Sequence, residues 1–180
     1  MCWLKVAIVL AWVAGLSTMR YVVIGQLLVL LLVANGAPII ARDLLGDRGH
    51  WPLDGGWIFF DGRPLLGPSK TIRGLVAAIS ATGCVGLVFG IDFATGATVG
   101  LSAMIGDLLS SFLKRRLGIA SSDSALGLDQ GFEALVPVLL MQAQWALRFS
   151  EILAIMVTFF IVDVALSRLL YKLHIRKKPL

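Results

Sequence analysis

Residues 61–74 read D-G-R-P-L-L-G-P-S-K-T-I-R-G, and the run that they feed decides the fold. From 72 to 90 Arg73 is the sole charge, and the run is rich in Ala and Gly. Within the quoted stretch Arg63, Lys70 and Arg73 supply three cations, and Ser69 and Thr71 supply hydroxyls. Gly62, Pro64, Gly67 and Pro68 prevent regular helix before it. A polar loop therefore enters the first turn of an apolar helix. Unpaired amides at such a helix start, beside cations and hydroxyls, favour a bound phosphate or polyphosphate.

Working outward, composition sets the class. Of 180 residues, 58% are hydrophobic and 15% charged, and the mean hydropathy is +0.88; such a chain is not a soluble globule. Apolar runs of about 18 or more residues recur, enough to cross the hydrocarbon core of a bilayer. Strand alternation is absent, so a barrel is excluded and the expectation is an all-α, polytopic membrane protein. The net charge of +5 does not indicate a nucleic-acid partner, because the cations sit at the ends of apolar runs. Cys2 and Cys84 form neither a metal motif nor a disulfide pair, and His50 and His174 are isolated.

The expected spans are 21–41, 72–90, 93–113, 132–147 and 152–171: five core helices. A further apolar run, 2–19, carries Lys5 and is closed by Arg20; it is read as an extra N-terminal helix or extension (1–20) before a membrane domain over 21–180. Asn35 and Pro38 lie near the end of the 21–41 span, where they read as a polar kink or as an amide directed into a polar site. The connection from 42 to 71 holds Trp51, Trp57, Phe59 and Phe60, and aromatic residues in that number suggest a loop resting on the membrane surface.

The span from 93 carries the second polar feature. Asp107, Ser110, Ser111 and Lys114 fall at i, i+3, i+4 and i+7 and share one helix face. Gly96 and Gly100 offer a small-residue strip for a neighbouring helix. Asp107 either pairs with Lys114 or Arg115 at a shallow depth or, the expectation favoured here, serves a metal or proton site, since embedded carboxylates are costly. Asp163, in the last span, is expected to contact Ser167 or Arg168. Cations flank the connections 42–71 and 114–130 and the tail after 171, which places those segments on one side. By the positive-inside rule that side is the cytoplasm.

The loop is not a Walker A motif: Pro68 and Ser69 intrude before Lys70-Thr71, and no strand precedes it. What remains is a phosphate-binding helix start facing carboxylates, the chemistry of a phosphorylated substrate with a divalent cation.

N-G-A-P (35–38), P-L-D-G-G (52–56), the 61–74 loop, G-D-L-L-S-S-F-L-K-R-R-L-G (106–118) and L-D-Q (128–130) together resemble the CDP-archaeol synthase family, distantly similar to phosphatidate cytidylyltransferase. The resemblance covers residues 21 to the C-terminus. It implies about five transmembrane helices, an active site facing the cytoplasm, and a Mg²⁺-dependent reaction of CTP with a lipid phosphate to give CDP-lipid and pyrophosphate. Carried over by position, Lys70, Thr71 and Arg73 would handle the CTP phosphates, with Ser111, Lys114 and Arg115 close by. Asn35, Asp54 and Gly67 would shape the nucleotide site, and Asp107, Asp129 and Glu133 would hold the metal. Lys70, Arg73, Asp107 and Lys114 would be the catalytic set. The implied partners are CTP, a membrane lipid phosphate and the bilayer, with no nucleic acid; assembly as a homodimer is left open.

One departure matters. Where the family carries an acid three residues after the Asp of its D-Q pair, this chain has Phe132, and Glu133 follows one residue later. Either Glu133 substitutes or the metal position is degraded. The rival expectation is therefore a non-catalytic membrane protein of this fold, or a small transporter, although no internal repeat is present.

Overall fold

Five helices in chain order, with no strand named among the described residues, make up the computed structural model. It describes residues 2–121, 123 and 125–172, with side chains from residue 20 on apart from residue 170. The basic tail beyond Lys172, His174 included, lies outside the described residues, as does the side chain of Lys5. The helices are α1 (Cys2–Leu45), α2 (Ile72–Val88), α3 (Phe93–Arg116), α4 (Leu128–Trp145) and α5 (Phe149–Lys172). Arg20–Leu45, Phe93–Arg116 and Phe149–Leu169 are long and apolar enough to cross a membrane, and Ile72–Val88 is a shorter apolar helix. The chain is an all-helical, multi-pass membrane protein.

The two N-terminal runs expected as separate helices are one. Arg20 does not interrupt α1, arginine being a good helix former; its guanidinium Nη1 lies 2.6 Å from Glu151 Oε1 on α5. Past that bridge, Leu27, Leu30, Leu31 and Ala34 recur at helical spacing and are fully buried. They meet Val99 and Ala103 of α3, Ala134, Val138 and Met141 of α4, and Ile152, Ile155 and Phe159 of α5. This core occupies the half of the bundle away from the polar loops.

Glycines set how closely the helices approach. A Cβ at Gly96 would stand 2.6 Å from the Thr82 carbonyl oxygen, and one at Gly100 would stand 3.0 Å from that of Ala78; the expected small-residue strip is where α2 packs. Gly106 does the same for α4: a Cβ there would run into the Phe132 carbonyl and come within 3.0 Å of Glu133 Cα. The residue before Asp107 thus lets α4 bring Glu133 against α3.

The connection from 46 to 71 is ordered without regular structure. Asp54 braces it. Its carboxylate accepts from the amides of Gly56 (3.0 Å), Leu66 (2.9 Å) and Gly67 (2.9 Å). Burial pushes the Asp54 carboxyl up, but those amides outweigh it and hold the group below the ordinary aspartate value. Pro52 pairs with Thr71, and Ile58 with Pro64, as isolated antiparallel bridges.

Candidate active site

The C-terminal part of α1, the 46–71 loop and the starts of α2 and α4 enclose a cavity of about 670 Å³ with the ends of α3 and α5. That volume suits a nucleotide-sized ligand. Its floor is built by α3, where Asp107, Ser111 and Lys114 line the cavity as one helix face. Ser110, expected with them, instead donates to the Asp107 carbonyl at 3.0 Å and does not line the cavity.

Lys70 reaches this floor from the loop. Its Nζ stands 2.6 Å from each carboxylate oxygen of Asp107. Of the two expectations for Asp107, the shallow pair with Lys114 or Arg115 gives way to this contact with Lys70; the other, service to a metal or proton site, belongs to the proposed function. Burial lowers the Lys70 ammonium, but the Asp107 charge prevails and keeps it above the ordinary lysine range. Thr71 caps α2, its hydroxyl accepting from Gly74 N at 3.3 Å. Arg73 uses one nitrogen to hold the end of α1, donating to the carbonyls of Gly46 (2.5 Å) and Arg48 (2.7 Å). The rest of its fork remains for a ligand.

From α4 come Asp129 and Glu133, one turn apart on the same face. Lys114 Nζ lies 3.0 Å from Asp129 Oδ2 as a hydrogen bond. The same ammonium is 2.8 Å from Oδ1, but without hydrogen-bonding alignment, so Oδ1 is buried with no hydrogen-bond partner. Glu133 accepts from Asn35 Nδ2 at 2.5 Å. Asn35 is therefore no mere kink residue; its amide belongs to the cavity wall. The departure at position 132 also resolves in space. Phe132 lines a separate apolar groove with Gly131, Leu135 and Met156, while Glu133, the i+4 neighbour of Asp129, faces the cavity.

Several residues stand apart from these expectations. Asp54 and Gly67 do not line the cavity; both shape the loop from behind, and Gly67 has a φ of +98° that side chains rarely adopt. Arg63 is also absent from the lining. It donates to the carbonyls of Arg115 (3.2 Å) and Arg116 (2.6 Å) at the end of α3 and so acts as a helix cap rather than a phosphate ligand. Asp163 accepts from Gln130 Nε2 at 3.0 Å and joins the cavity wall. Sequence reasoning missed this pair, since only the packing of α5 on α4 brings the two together.

The lining carries five cations (Arg42, Lys70, Arg73, Lys114 and Arg115) and five acids (Asp107, Asp123, Asp129, Glu133 and Asp163). A cavity for a bare anion would not need the acids, nor one for a bare cation the lysines and arginines. Carboxylate oxygens are hard donors of the kind Mg²⁺ prefers. No three acids among the described residues already converge on one metal position. Mg²⁺ seldom asks for that, since it binds through one or two carboxylates with substrate phosphates and water. The unsatisfied Oδ1 of Asp129, with Glu133 one turn away, fits that mode.

Comparison with known proteins agrees with this chemistry. The CarS-like CDP-archaeol synthase family model matches residues 21–180. The chain is 35% identical over 155 residues to the CDP-archaeol synthase of Sulfurisphaera tokodaii, covering 82% of this chain and 89% of that one. It is 38% identical over 144 residues to that of Hyperthermus butylicus, covering 77% and 81%. Among solved structures it resembles an intramembrane enzyme for archaeal membrane lipid biosynthesis, with a TM-score of 0.68 at 28% identity over 78% of this chain and 89% of that one.

Proposed function

This chain belongs to the CarS-like CDP-archaeol synthase family, and on that premise we propose that its cavity transfers the cytidylyl group of CTP to a membrane lipid phosphate. The observation that carries the reading is the pairing of the two cavity lysines with carboxylates: Lys70 with Asp107 and Lys114 with Asp129. These pairs balance charge within the cavity and can be exchanged, cation to phosphate and carboxylate to metal, when the substrates bind.

In the reaction, an oxygen of the lipid phosphate attacks the α-phosphorus of CTP. That O–P bond forms as the bond to the β-phosphate oxygen breaks, and pyrophosphate leaves. Lys70, Arg73, Lys114 and Arg115 hold the triphosphate and stabilise the charge that grows on the leaving group. The start of α2, capped by Thr71, presents free amides to the same phosphates. Asp129 and Glu133, with Asp107 once Lys70 turns to phosphate, would hold Mg²⁺, which would supply charge neutralisation at the phosphoryl oxygens. Asn35 fixes the Glu133 carboxylate. The polar loops face the cytoplasm, the side from which CTP comes, in keeping with the cations gathered there.

The relatives' names make an archaeol phosphate the first lipid to offer. Pyrophosphate release from CTP, measured with and without the lipid phosphate, tests the reading. Release that requires both the lipid and Lys114 supports it. Lipid-independent release would point to simple nucleotide hydrolysis instead.

A further inference from the structure

The hairpin 57–65 lies outside the cavity, and its placement is unexplained by the chemistry there. It is closed by the Ile58–Pro64 bridge, with the Phe59 amide donating to Arg63 O at 2.8 Å and the Leu65 amide to Trp57 O at 2.8 Å. One side of it is fastened to α3. The Phe59 ring meets Phe112 edge-on at 5.4 Å, and the Arg116 guanidinium lies 4.6 Å from the Phe59 centroid and 5.0 Å from that of Phe112. Arg116 also donates to Asp61 Oδ1 at 2.6 Å and to the Pro64 carbonyl at 2.5 Å.

The part of α3 that receives the hairpin is its lipid-facing stripe. Leu101, Ile105 and Leu109 recur every four residues and are 42%, 41% and 45% exposed. In a membrane-crossing helix such a stripe faces acyl chains. Phe112 and Arg116 continue it by three and four residues toward the helix end. The hairpin therefore sits at the depth of the last turn of α3, on the perimeter of the bundle, where hydrocarbon gives way to headgroups. Its outer side is apolar: Phe60 is 99% exposed, Trp57 74% and Ile58 69%. Aromatic residues at that depth act as interfacial anchors.

We infer that the hairpin 57–65 is a membrane-interface anchor, with Phe60, Trp57 and Ile58 inserted among the phospholipids of the leaflet that borders the cavity. The same loop carries Lys70, so the anchor fixes the phosphate-binding segment relative to the bilayer surface. The inference rests on the lipid face of α3, and it stands whether or not the protein transfers cytidylyl groups.

The test uses the full chain in phosphatidylcholine nanodiscs, with Cys2 and Cys84 replaced by serine and a nitroxide label on Phe60→Cys. Asp47→Cys gives the aqueous reference and Leu109→Cys the lipid reference. The expected result is oxygen collision at position 60 several-fold above that of a water-soluble nickel complex, as at 109. Preferential collision with the nickel complex, as at 47, would overturn the anchor. Protection from both would overturn it in favour of a contact with a second copy. Since Phe60 makes little contact with the rest of the fold, its replacement leaves the bundle intact. A label-free check is available if labelling perturbs the protein: lipids with brominated chains should quench a fluorescence component that Trp57→Phe removes. An unchanged quenching ratio in that variant contradicts the inference.

Discussion

The ammonium of Lys70 stands 2.6 Å from both carboxylate oxygens of Asp107, joining the 46–71 loop to the floor of the cavity. In the proposed reaction each group is thereby withheld from the ligand it would otherwise take. Asp107→Asn frees Lys70, and the account predicts two opposite effects. Turnover falls by at least about 100-fold, in line with loss of one electrostatic stabiliser of the transition state. Metal-free CTP binds more tightly, because an uncompensated ammonium now meets its phosphates. Titration calorimetry without divalent cation, beside a turnover assay, reads both.

Glu133 and Phe132 make a second test. Glu133 faces the cavity and Phe132 an apolar groove. Glu133→Gln should lose at least about 100-fold in turnover. Phe132→Asp, which restores the family's acid in sequence, should not rescue it, because that side chain points to the wrong side of α4. Recovery in the double variant would mean that α4 rotates in the working enzyme.

Gly106→Ala should be poorly tolerated. The added methyl meets the Phe132 carbonyl and the Glu133 Cα, both backbone atoms that cannot swing aside. A cost of about 1–3 kcal/mol is expected from such overpacking, measured as a lower thermal midpoint in detergent. Activity should fall with it, since Asp107 and Glu133 are pushed apart.

Asp54 supplies a pH prediction. Its folded-state value lies below the ordinary aspartate value of 3.8, so the stability it contributes is present above 3.8 and is lost as pH falls through the lower folded value. Protection of the Gly56, Leu66 and Gly67 amides, taken as exchange relative to the intrinsic rate at each pH, should fall only in that acid range. Asp54→Asn should loosen the same amides at neutral pH, at a cost of about 1–3 kcal/mol, with the helices unaffected.

These residues also show what could be read from the sequence. The apolar runs, the helix start at 72 and the one-face spacing of Asp107, Ser111 and Lys114 are local patterns, and the structure keeps them. The role of Arg63 was not legible, because loop cations look alike until one is seen to cap α3. Asp163 and Gln130 lie 33 residues apart, and only the packing of α5 on α4 makes them partners. The partner of Arg20, Glu151, was hidden likewise, since it comes from the far end of the chain. Position 132 left two readings open, because i+3 and i+4 from Asp129 fall on either side of its direction and spacing alone does not say which faces inward; the packed helix turns Glu133 to the cavity and Phe132 to the apolar groove.

The most direct measurement is incorporation of labelled CTP into lipid by the purified protein with Mg²⁺, offered a diacyl and a di-isoprenoid ether glycerol phosphate. The account predicts labelled CDP-lipid with at least the ether substrate, abolished by Asp107→Asn. No labelled lipid from either substrate, although CTP still binds, would contradict cytidylyl transfer and leave a membrane protein that keeps the family's fold without its chemistry.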